Sequence, residues 1–339
     1  MKALVCMQPG VLEYKELSTP ILQPGHAIIK IKNICICGTD LHAFEGTQPY
    51  FNYPRILGHE LSGELVDFDD VPGFERGEAV TFLPYLNCGD CIACRTGKPN
   101  CCVHLNVCGV HIDGGMVDYL SVPSRLLVRG EGLGYTDLAM VEPLAIGAHG
   151  IARAQVQPGE FVLVMGAGPI GLGTMAYARI AGAQVIAMDV TQSRLTFSKA
   201  HIGVSHILNA RDADVEAQLR DITKGAMPSV VIDATGNQEA INNGLTYLAH
   251  GGRYVLIGLQ KGDLIFSHPE FHKREATLMS SRNATRTDFE HVIASIKEGT
   301  IKPATFINNT VKFSAVKEAF PSWLDTGNGI IKTIVETEH

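Results

Sequence analysis

The chain has 339 residues, which is long enough for two domains of ordinary size. Its hydrophobic share of 45% and charged share of 19% are typical of a globular protein with packed cores, while a net charge of −7 argues against general nucleic-acid binding. The chain begins with a strand-like run too short for a signal peptide and holds no apolar segment of bilayer length. We therefore expect a cytoplasmic protein that binds neither nucleic acid nor membrane.

Short β-like runs separated by Gly and Pro dominate residues 1–145 and predict a mostly β domain. The clearest runs cover residues 27–31, 61–66, 79–82 and 119–122. Beyond about residue 157, strand-like and helical segments alternate, which predicts an α/β region with a parallel, doubly wound sheet. Its expected strands are 161–165, 185–189, 230–233 and 254–257, and its expected helices are 170–181 and 192–201.

One more helix is expected at 287–299, and the tail after it returns to short β-like segments. We expect this tail to rejoin the first domain, so that the α/β region is a central insertion. The predicted domains are therefore residues 1–150 with 296–339, and residues 151–295.

A glycine motif, Gly166-Ala167-Gly168-Pro169-Ile170-Gly171, follows the first expected α/β strand and opens a helix. Gly166 permits a tight turn, Gly168 lets the backbone approach a pyrophosphate, and Gly171 allows the helix to pack closely on the strand. The N-terminus of the helix would offer free N–H groups and a positive dipole end to phosphates. The context therefore predicts a dinucleotide site.

The sequence also indicates which dinucleotide would bind. Asp189 ends the next strand, close to the separation of about 20 residues at which an acidic residue bonds the ribose hydroxyls. Since a carboxylate would repel a 2′-phosphate, NAD is predicted rather than NADP. Asp189 could instead cap the following helix. Arg194 could attract a 2′-phosphate, although it also fits beside the adenosine of NAD.

Four cysteines in one loop, Cys88, Cys91, Cys94 and Cys102, follow the pattern C-x2-C-x2-C-x7-C. Four thiolates in such a loop can surround one Zn²⁺ in a closed structural site, which would stabilise a lobe without its own core. Buried or disulfide-bonded cysteines are the alternative. The spacing also leaves Cys101 open as the fourth ligand.

A second, dispersed set consists of Cys37, His59, Glu60 and Glu142. A catalytic zinc has about three protein ligands of mixed N, S and O type and keeps one position open. A cysteine, a histidine and a carboxylate from this set would fit. Each residue also has an ordinary structural explanation, such as a buried cysteine or a helix cap, so spacing alone leaves the site open.

Together these motifs resemble the medium-chain zinc dehydrogenases, the group of sorbitol, threonine and related dehydrogenases, over essentially the whole chain. The matching segments, in the family's order, are Cys37-Gly38-Thr39-Asp40-Leu41-His42, Gly58-His59-Glu60, the four-cysteine loop, Glu142-Pro143 and the glycine motif. The resemblance implies a GroES-like, mostly β catalytic domain and a Rossmann cofactor domain. It also implies NAD, one catalytic zinc and one structural zinc.

The resemblance assigns roles at the catalytic zinc. Cys37 and His59 would bind the metal, and Glu60 or Glu142 would supply the carboxylate. Because the alcohol dehydrogenase branch has a cysteine at the position of Glu142, the sequence resembles the polyol branch. Zinc lowers the pKa of a bound alcohol, as it does for water, so that hydride can pass to the nicotinamide. Thr39 would receive the proton and His42 would pass it on, unless His42 is an ordinary surface residue.

Three further segments, 109–115, 269–273 and 281–285, resemble the bacterial L-galactonate 5-dehydrogenase and starvation-sensing dehydrogenase group. They imply a polyol or sugar-acid substrate, such as L-galactonate or L-gulonate oxidised at C5. Arg282, which we group with the cofactor-side residues, resembles the family arginine near the zinc-site glutamate. It could hold a substrate carboxylate as a bidentate pair or simply orient Glu142.

Three alternatives remain open from the sequence. Two are an L-threonine 3-dehydrogenase and a sorbitol dehydrogenase, which share the metal motifs. The third, of another class, is a non-catalytic NAD-binding protein that keeps only the structural zinc. By analogy with the family, we expect a homodimer or homotetramer.

Overall fold

The computed structural model describes residues 1–69 and 72–338. The chain divides into two compact units, of which the first comprises Met1–Pro143 with Ala284–His339 and the second Leu144–Asn283. These boundaries, at 143 and 283, precede the sequence-based ones at 150 and 295. The second difference arises because the helix Arg286–Lys297 packs in the first unit. Its Arg286 donates to the Leu127 carbonyl (3.0 Å), and its Phe289 contacts Tyr85 edge-on, with ring centroids 6.5 Å apart.

The first unit begins with ten strands, and helices lie between and after them. The strands are β1 (Lys2–Gln8), β2 (Val11–Glu16), β3 (His26–Cys35), β4 (Arg55–Ile56), β5 (Glu60–Phe68), β6 (Ala79–Phe82), β7 (Tyr85–Leu86), β8 (Asn106–Val107), β9 (Tyr119–Pro123) and β10 (Leu127–Arg129). The helices are α1 (Gly38–Glu45), α2 (Ile92–Arg95), α3 (Tyr135–Ala139) and α4 (Val141–Ala154), which continues into the second unit.

After the end of α4, strands and helices alternate through the second unit. They are β11 (Phe161–Met165), α5 (Pro169–Ile180), β12 (Gln184–Asp189), α6 (Gln192–Phe197), β13 (His206–Asn209), α7 (Val215–Ile222), β14 (Val230–Asp233), α8 (Gln238–Gly244), β15 (Arg253–Leu256), α9 (His268–Lys273) and β16 (Thr277–Ser280). The chain then returns to the first unit with α10 (Arg286–Lys297), β17 (Ile307–Lys312), α11 (Val316–Ala319) and β18 (Lys332–Glu336).

The main sheet of the first unit has seven strands in the order β10-β6-β5-β3-β18-β17, with β9 also pairing to β3. Its last two strands come from the C-terminal tail, and β18 runs antiparallel to β3 with Ile334 opposite Cys35. The C-terminal tail thus pairs with the sheet of the first unit. Smaller sheets, β2-β1-β4 and β7-β8, complete the β structure. The core beneath them holds fully buried side chains such as Leu4, Ile31 and Leu65.

The second unit is built on a six-stranded parallel sheet in the order β13-β12-β11-β14-β15-β16. The central strand β11 has no hydrophobic alternation and is buried along almost its whole length, as expected for a strand covered on both faces. The predicted class, a GroES-like β domain with a Rossmann domain, is confirmed.

One predicted helix differs from the structure. The expected helix 192–201 is α-helical only to Phe197, and Ser198–Ile202 forms a wider π turn. The turn closes with the Gly203 N–H donating to the Ser198 carbonyl (2.9 Å), and Gly203 ends it with a positive φ of 73°. Such single-turn π segments are local features that helical periodicity does not reveal. None of the helices in the described ranges has the length and apolar character needed to cross a membrane.

Candidate active site

Asp40 joins the two motifs that carry the predicted catalytic zinc ligands. It lies in the first turn of α1, is only 1% exposed, and accepts a hydrogen bond from the N–H of Cys37, the N-cap residue (2.9 Å). Its other carboxylate oxygen accepts from the N–H of Gly58 (3.1 Å), directly before His59. One buried carboxylate thus anchors both segments and brings Cys37 close to His59.

Cys37, His59 and Glu60 form a cluster whose ligand atoms all lie within 4.8 Å of one another. Glu60 opens β5 opposite Cys35 of β3, so sheet register places it beside the turn that carries Cys37. His59 and Glu60 are 6% and 0% exposed. One thiol, one imidazole and one carboxylate are the mixed donor set of a catalytic zinc site, so these residues fit the ion. Within residues 1–69 and 72–338, Glu142 is not part of this cluster.

Lys332 of β18 is the cationic partner of Glu60. Its Nζ lies 2.7 Å from Oε1 and 2.5 Å from Oε2, and the lysine is 2% exposed. Burial alone would lower the pKa of Lys332, but the Glu60 charge outweighs it and raises the pKa above the ordinary value. The lysine therefore stays charged and balances one of the buried acids.

Glu142, at the start of α4, has a different partner. The Tyr85 hydroxyl donates to its Oε1, and both residues are buried. Burial raises the pKa of Glu142 to about 7, although the neighbouring His59 opposes that rise. Burial also raises the pKa of Tyr85 well above its usual range, so the phenol is a neutral donor.

The buried acidic groups around Cys37 and His59 change the pKa values of both residues. Burial raises the pKa of the Cys37 thiol, and the Glu60 charge raises it further. Burial works to lower the pKa of His59, but Cys37 and Asp40 outweigh it and raise that pKa well above the ordinary value. A divalent cation favours thiolate and neutral imidazole instead, because ligands must be deprotonated to bind.

Thr39 and His42 both lie on α1, three residues apart and therefore on one face. Thr39 is half-buried, whereas the His42 side chain is 62% exposed. Its Nδ1 lies 3.1 Å from Thr47 Oγ1 and 3.5 Å from Glu45 Oε2. The roles of Thr39 and His42 in proton transfer stay predictions.

The four-cysteine loop forms a compact second cluster of Cys88, Cys91, Cys94 and Cys102, and Cys101 lies outside it. The Sγ–Sγ distances are 3.4 Å for Cys102–Cys88, 3.5 Å for Cys91–Cys94 and 4.0 Å for Cys88–Cys94. A tetrahedral zinc with Zn–S bonds of about 2.3 Å needs sulfurs about 3.8 Å apart, so the loop fits the ion.

The chemistry of these thiols also suits a metal. All nine cysteines of the chain are free thiols, so disulfides are not formed here. Backbone N–H groups of Cys94 and Val103 lower the pKa of Cys91 to about 6, which favours its thiolate. The N–H groups of Cys88 and His104 both donate to Cys102 Sγ at 3.3 Å.

The glycine motif has the geometry of a dinucleotide turn. Gly166 has a φ of 97°, which favours glycine. A Cβ on Gly171 would lie 1.9 Å from the Gly166 carbonyl oxygen, whereas a Cβ on Gly168 would meet nothing within 4 Å. Gly168 is the N-cap of α5, with Pro169 and Ile170 in the first turn. Space and free N–H groups thus coincide where a pyrophosphate is predicted.

Asp189 ends β12 and is 8% exposed. It accepts one hydrogen bond on each oxygen, from the N–H of Ala167 (2.7 Å) and of Thr191 (2.8 Å). The N-cap of α6 is Thr191, so Asp189 is not the cap residue itself. Each carboxylate oxygen keeps one lone pair for a further donor, such as a ribose hydroxyl.

The two other cofactor-side candidates lie on the second unit. Arg194 is half-buried on α6, and Arg282 is exposed just after β16. Arg282 belongs to the second unit, whereas Glu142 belongs to the first. Their roles toward NAD, Glu142 or the substrate stay predictions.

Sequence reasoning missed three residues around the cluster of Cys37, His59 and Glu60, namely Asp40, Tyr85 and Lys332. Asp40 stands inside the quoted cysteine motif, where an N3 acid is a capping-box signal. Lys332 is a charge between the apolar pairs Ile330-Ile331 and Ile334-Val335, which signals a buried partner. Tyr85 offered no signal beyond its place before the four-cysteine loop.

Two family models match the chain. Residues 23–132 match the alcohol dehydrogenase GroES-like domain, and residues 169–298 match the zinc-binding dehydrogenase model. L-galactonate-5-dehydrogenase of Escherichia coli (strain K12) is 43% identical over 336 residues, which cover 99% of this chain and 98% of that protein. Sorbitol dehydrogenase of Halalkalibacterium halodurans is 30% identical and covers 94% of this chain and 95% of its own length.

A solved structure gives the same result. The crystal structure of the alcohol dehydrogenase RspB from Escherichia coli CFT073, complexed with the cofactor NADH, is 30% identical with a TM-score of 0.91 and covers 99% of both chains. The fold and the two sets of possible metal ligands point to the same family as the relatives, two of which match 99% of the chain. This chain belongs to the zinc-type medium-chain alcohol dehydrogenase family of oxidoreductases.

Proposed function

We propose that this protein is an NAD-linked, zinc-dependent dehydrogenase that oxidises the C5 hydroxyl of a sugar acid, L-galactonate or L-gulonate, to the keto acid. The observation that carries the substrate class is the 43% identity, over 99% of the chain, to a protein named L-galactonate-5-dehydrogenase. The donor sets of the two cysteine-containing clusters support the metal, and the glycine motif supports the dinucleotide.

NAD is the proposed cofactor. The glycine turn offers the open approach at Gly168, and Asp189 stands where it can accept bonds from ribose hydroxyls. A 2′-phosphate would bring negative charge to that carboxylate, which disfavours NADP. The related RspB structure contains NADH.

In the proposed mechanism Cys37 and His59, with Glu60 or Glu142, would hold the catalytic zinc. A zinc ion there supplies Lewis-acid polarisation of the substrate hydroxyl. The Thr39 hydroxyl would accept the hydroxyl proton of the substrate and release its own proton toward His42, while a bound nicotinamide would supply the hydride acceptor. His42, one turn along α1 and exposed, would relay that proton outward, since its ring contacts Thr47 and Glu45 at the surface.

A polyol is the second candidate substrate class. The observation that favours it is the 30% identity, over 94% of the chain, to a sorbitol dehydrogenase. Oxidation of sorbitol would use the same zinc and proton path. The difference would lie in the carboxylate, which sorbitol lacks and which an arginine such as Arg282 could bind.

The first experiment follows NAD reduction with L-galactonate, L-gulonate, sorbitol and L-threonine while zinc is counted in the same preparation. We expect the highest kcat/KM for a sugar acid and two zinc ions per chain. A preference for sorbitol or threonine would overturn the substrate class but keep the dehydrogenase. If none of the four compounds supports NAD reduction and the chain binds only one zinc, the hypothesis that the protein is a dehydrogenase is rejected.

The cofactor assignment has a separate test. Asp189→Ala should weaken NAD binding and reduce discrimination against NADP by about tenfold or more, since it removes a charge-assisted hydrogen bond and a repulsive charge. The measurement is kcat/KM with each cofactor. An unchanged ratio would show that Asp189 is not the ribose contact.

The homodimer or homotetramer stays a prediction, which size-exclusion chromatography can test.

A further inference from the structure

Tyr85 contacts one predicted metal site of the first unit and precedes the other by a few residues in the chain. It begins β7, which pairs with β8 through Tyr85 opposite Val107. Three residues further along, the chain reaches Cys88, the first ligand of the four-cysteine cluster. In the other direction, its hydroxyl meets Glu142 beside the catalytic cluster. A single short segment therefore connects both sites.

The contact between Tyr85 and Glu142 is buried, and the Tyr85 ring also packs against Phe289. Tyr85 is 4% exposed and Glu142 is 5% exposed. The Phe289 ring of α10 stands edge-on to the phenol at 90°, with centroids 6.5 Å apart. Burial and this contact limit the conformations open to the ring, because buried side chains pack closely against their neighbours.

Two other tyrosines, the buried Tyr254 and the half-buried Tyr14, use their hydroxyls differently. Tyr254 donates to the Ile241 carbonyl (2.8 Å), and Tyr14 donates to the Phe313 carbonyl. Those bonds satisfy a hydroxyl with backbone, as structural tyrosines commonly do. Tyr85 instead donates to a carboxylate that the family resemblance places at the catalytic zinc.

The two carboxylates near Cys37 and His59 are thus held by different donors. Glu60 has both oxygens against the Lys332 ammonium (2.7 and 2.5 Å), while Glu142 has one oxygen on a neutral phenol. A cation opposes a second cation at the same carboxylate, but a phenol does not. Glu142 is consequently the acid that a metal can engage without competing with an ammonium group bonded to the same carboxylate.

We infer that Tyr85 is a positioning residue for Glu142 at the proposed catalytic zinc site, an inference that rests on the proposed function. By holding Oε1, its hydroxyl restricts rotation of the carboxylate, so Glu142 changes its engagement with the metal only by breaking a buried bond. Partners that hold metal-site ligands in place typically matter by about 10- to 100-fold in metal affinity or activity.

The test compares Tyr85→Phe with Tyr254→Phe, which removes another buried hydroxyl from a backbone bond in the second unit. Both proteins are loaded with Co²⁺ in place of zinc, and their visible absorption and metal release to a chelator are recorded. We expect Tyr85→Phe to change the spectrum of the catalytic metal and its release rate by about tenfold or more, with kcat reduced more than KM. Tyr254→Phe should match the parent in all three.

A second comparison distinguishes the proposed role of Tyr85 from a general loss of stability. In a Glu142→Gln background, Tyr85→Phe should alter metal release less than about twofold, because its partner carboxylate is already gone. Thermal unfolding of each variant checks that the fold is retained at the assay temperature. If Tyr85→Phe does not stay folded, Phe289→Leu is used instead, because it loosens the packing of the Tyr85 ring and keeps the hydroxyl. Its rate of metal release is then compared with that of the parent.

Two results would overturn the inference. One is a Tyr85→Phe protein with the parent's Co²⁺ spectrum and release rate. The other is an equally large effect in the Glu142→Gln background, which would mean that the hydroxyl acts on something else. Both metal readouts need no turnover, so they remain decisive if the substrate panel fails while two metal ions per chain are bound. One metal ion per chain would instead reject the proposed function, which is a separate result.

Discussion

Replacing Lys332 by methionine probes the buried ion pair beneath the proposed catalytic site. Methionine keeps much of the side-chain length but removes the charge that lies 2.7 Å from Glu60 Oε1. At an effective dielectric constant of about 20, the lost attraction is about 6 kcal/mol. The net value of the pair is smaller because burial of each ion costs several kcal/mol. Removing one partner alone, however, typically costs about 3–5 kcal/mol, since it leaves a buried carboxylate without a cation.

We therefore expect Lys332→Met to lower the free energy of unfolding by about 3–5 kcal/mol. Trp323, the one tryptophan of the sequence, lies in the same unit and is 7% exposed, so its fluorescence during urea unfolding reports on the relevant part of the chain. Adding Glu60→Gln should recover most of the loss because no unpaired charge remains. The matched control is Lys297→Met, which removes a surface pair with Glu131 (3.3 Å) and should cost less than about 1 kcal/mol.

The reasoning would be refuted if Lys332→Met cost no more than Lys297→Met at the same zinc concentration. It would also be refuted if the double variant with Glu60→Gln were less stable than Lys332→Met alone. Either outcome would mean that Glu60 has no need of the ammonium group in the folded protein.

Three further predictions concern the metal and nucleotide sites. Cys37→Ser should halve the zinc content from two ions to one and abolish most turnover with the fold intact; full activity by NAD reduction would contradict the ligand assignment. Cys91→Ser should remove the other zinc and lower the melting temperature, whereas Cys101→Ser should retain the zinc content and melting temperature of the parent, as metal analysis and thermal scans would show. Gly171→Ala should destabilise the second unit because its Cβ would lie 1.9 Å from a carbonyl oxygen, while Gly168→Ala should weaken NAD binding at nearly unchanged stability. Equal melting temperatures for the two glycine variants would rule out that distinction.

Several features could be predicted from the sequence because they depend on residues close together in the chain. Strands β11 and β14 coincide with their predicted runs, since uninterrupted apolar runs are typical of strands buried on both faces. The glycine turn and the four-cysteine loop were predicted because a tight turn and a tetrahedral ligand set impose fixed short spacings. Even there, spacing could not choose between Cys101 and Cys102, which only the folded loop distinguishes.

The catalytic surroundings depend on contacts between distant parts of the chain. Lys332 meets Glu60 across 272 positions, and Tyr85 meets Glu142 across 57 positions. No local periodicity records such pairs, because they arise from sheet order: β18 pairs with β3, and β3 pairs with β5, so the C-terminal lysine reaches the start of β5. The sequence by itself determined the two domain types, the candidate ligands and the cofactor motif. Only the tertiary structure decided which buried charge balances which carboxylate, because a buried charge needs a partner in space wherever that partner lies in the chain.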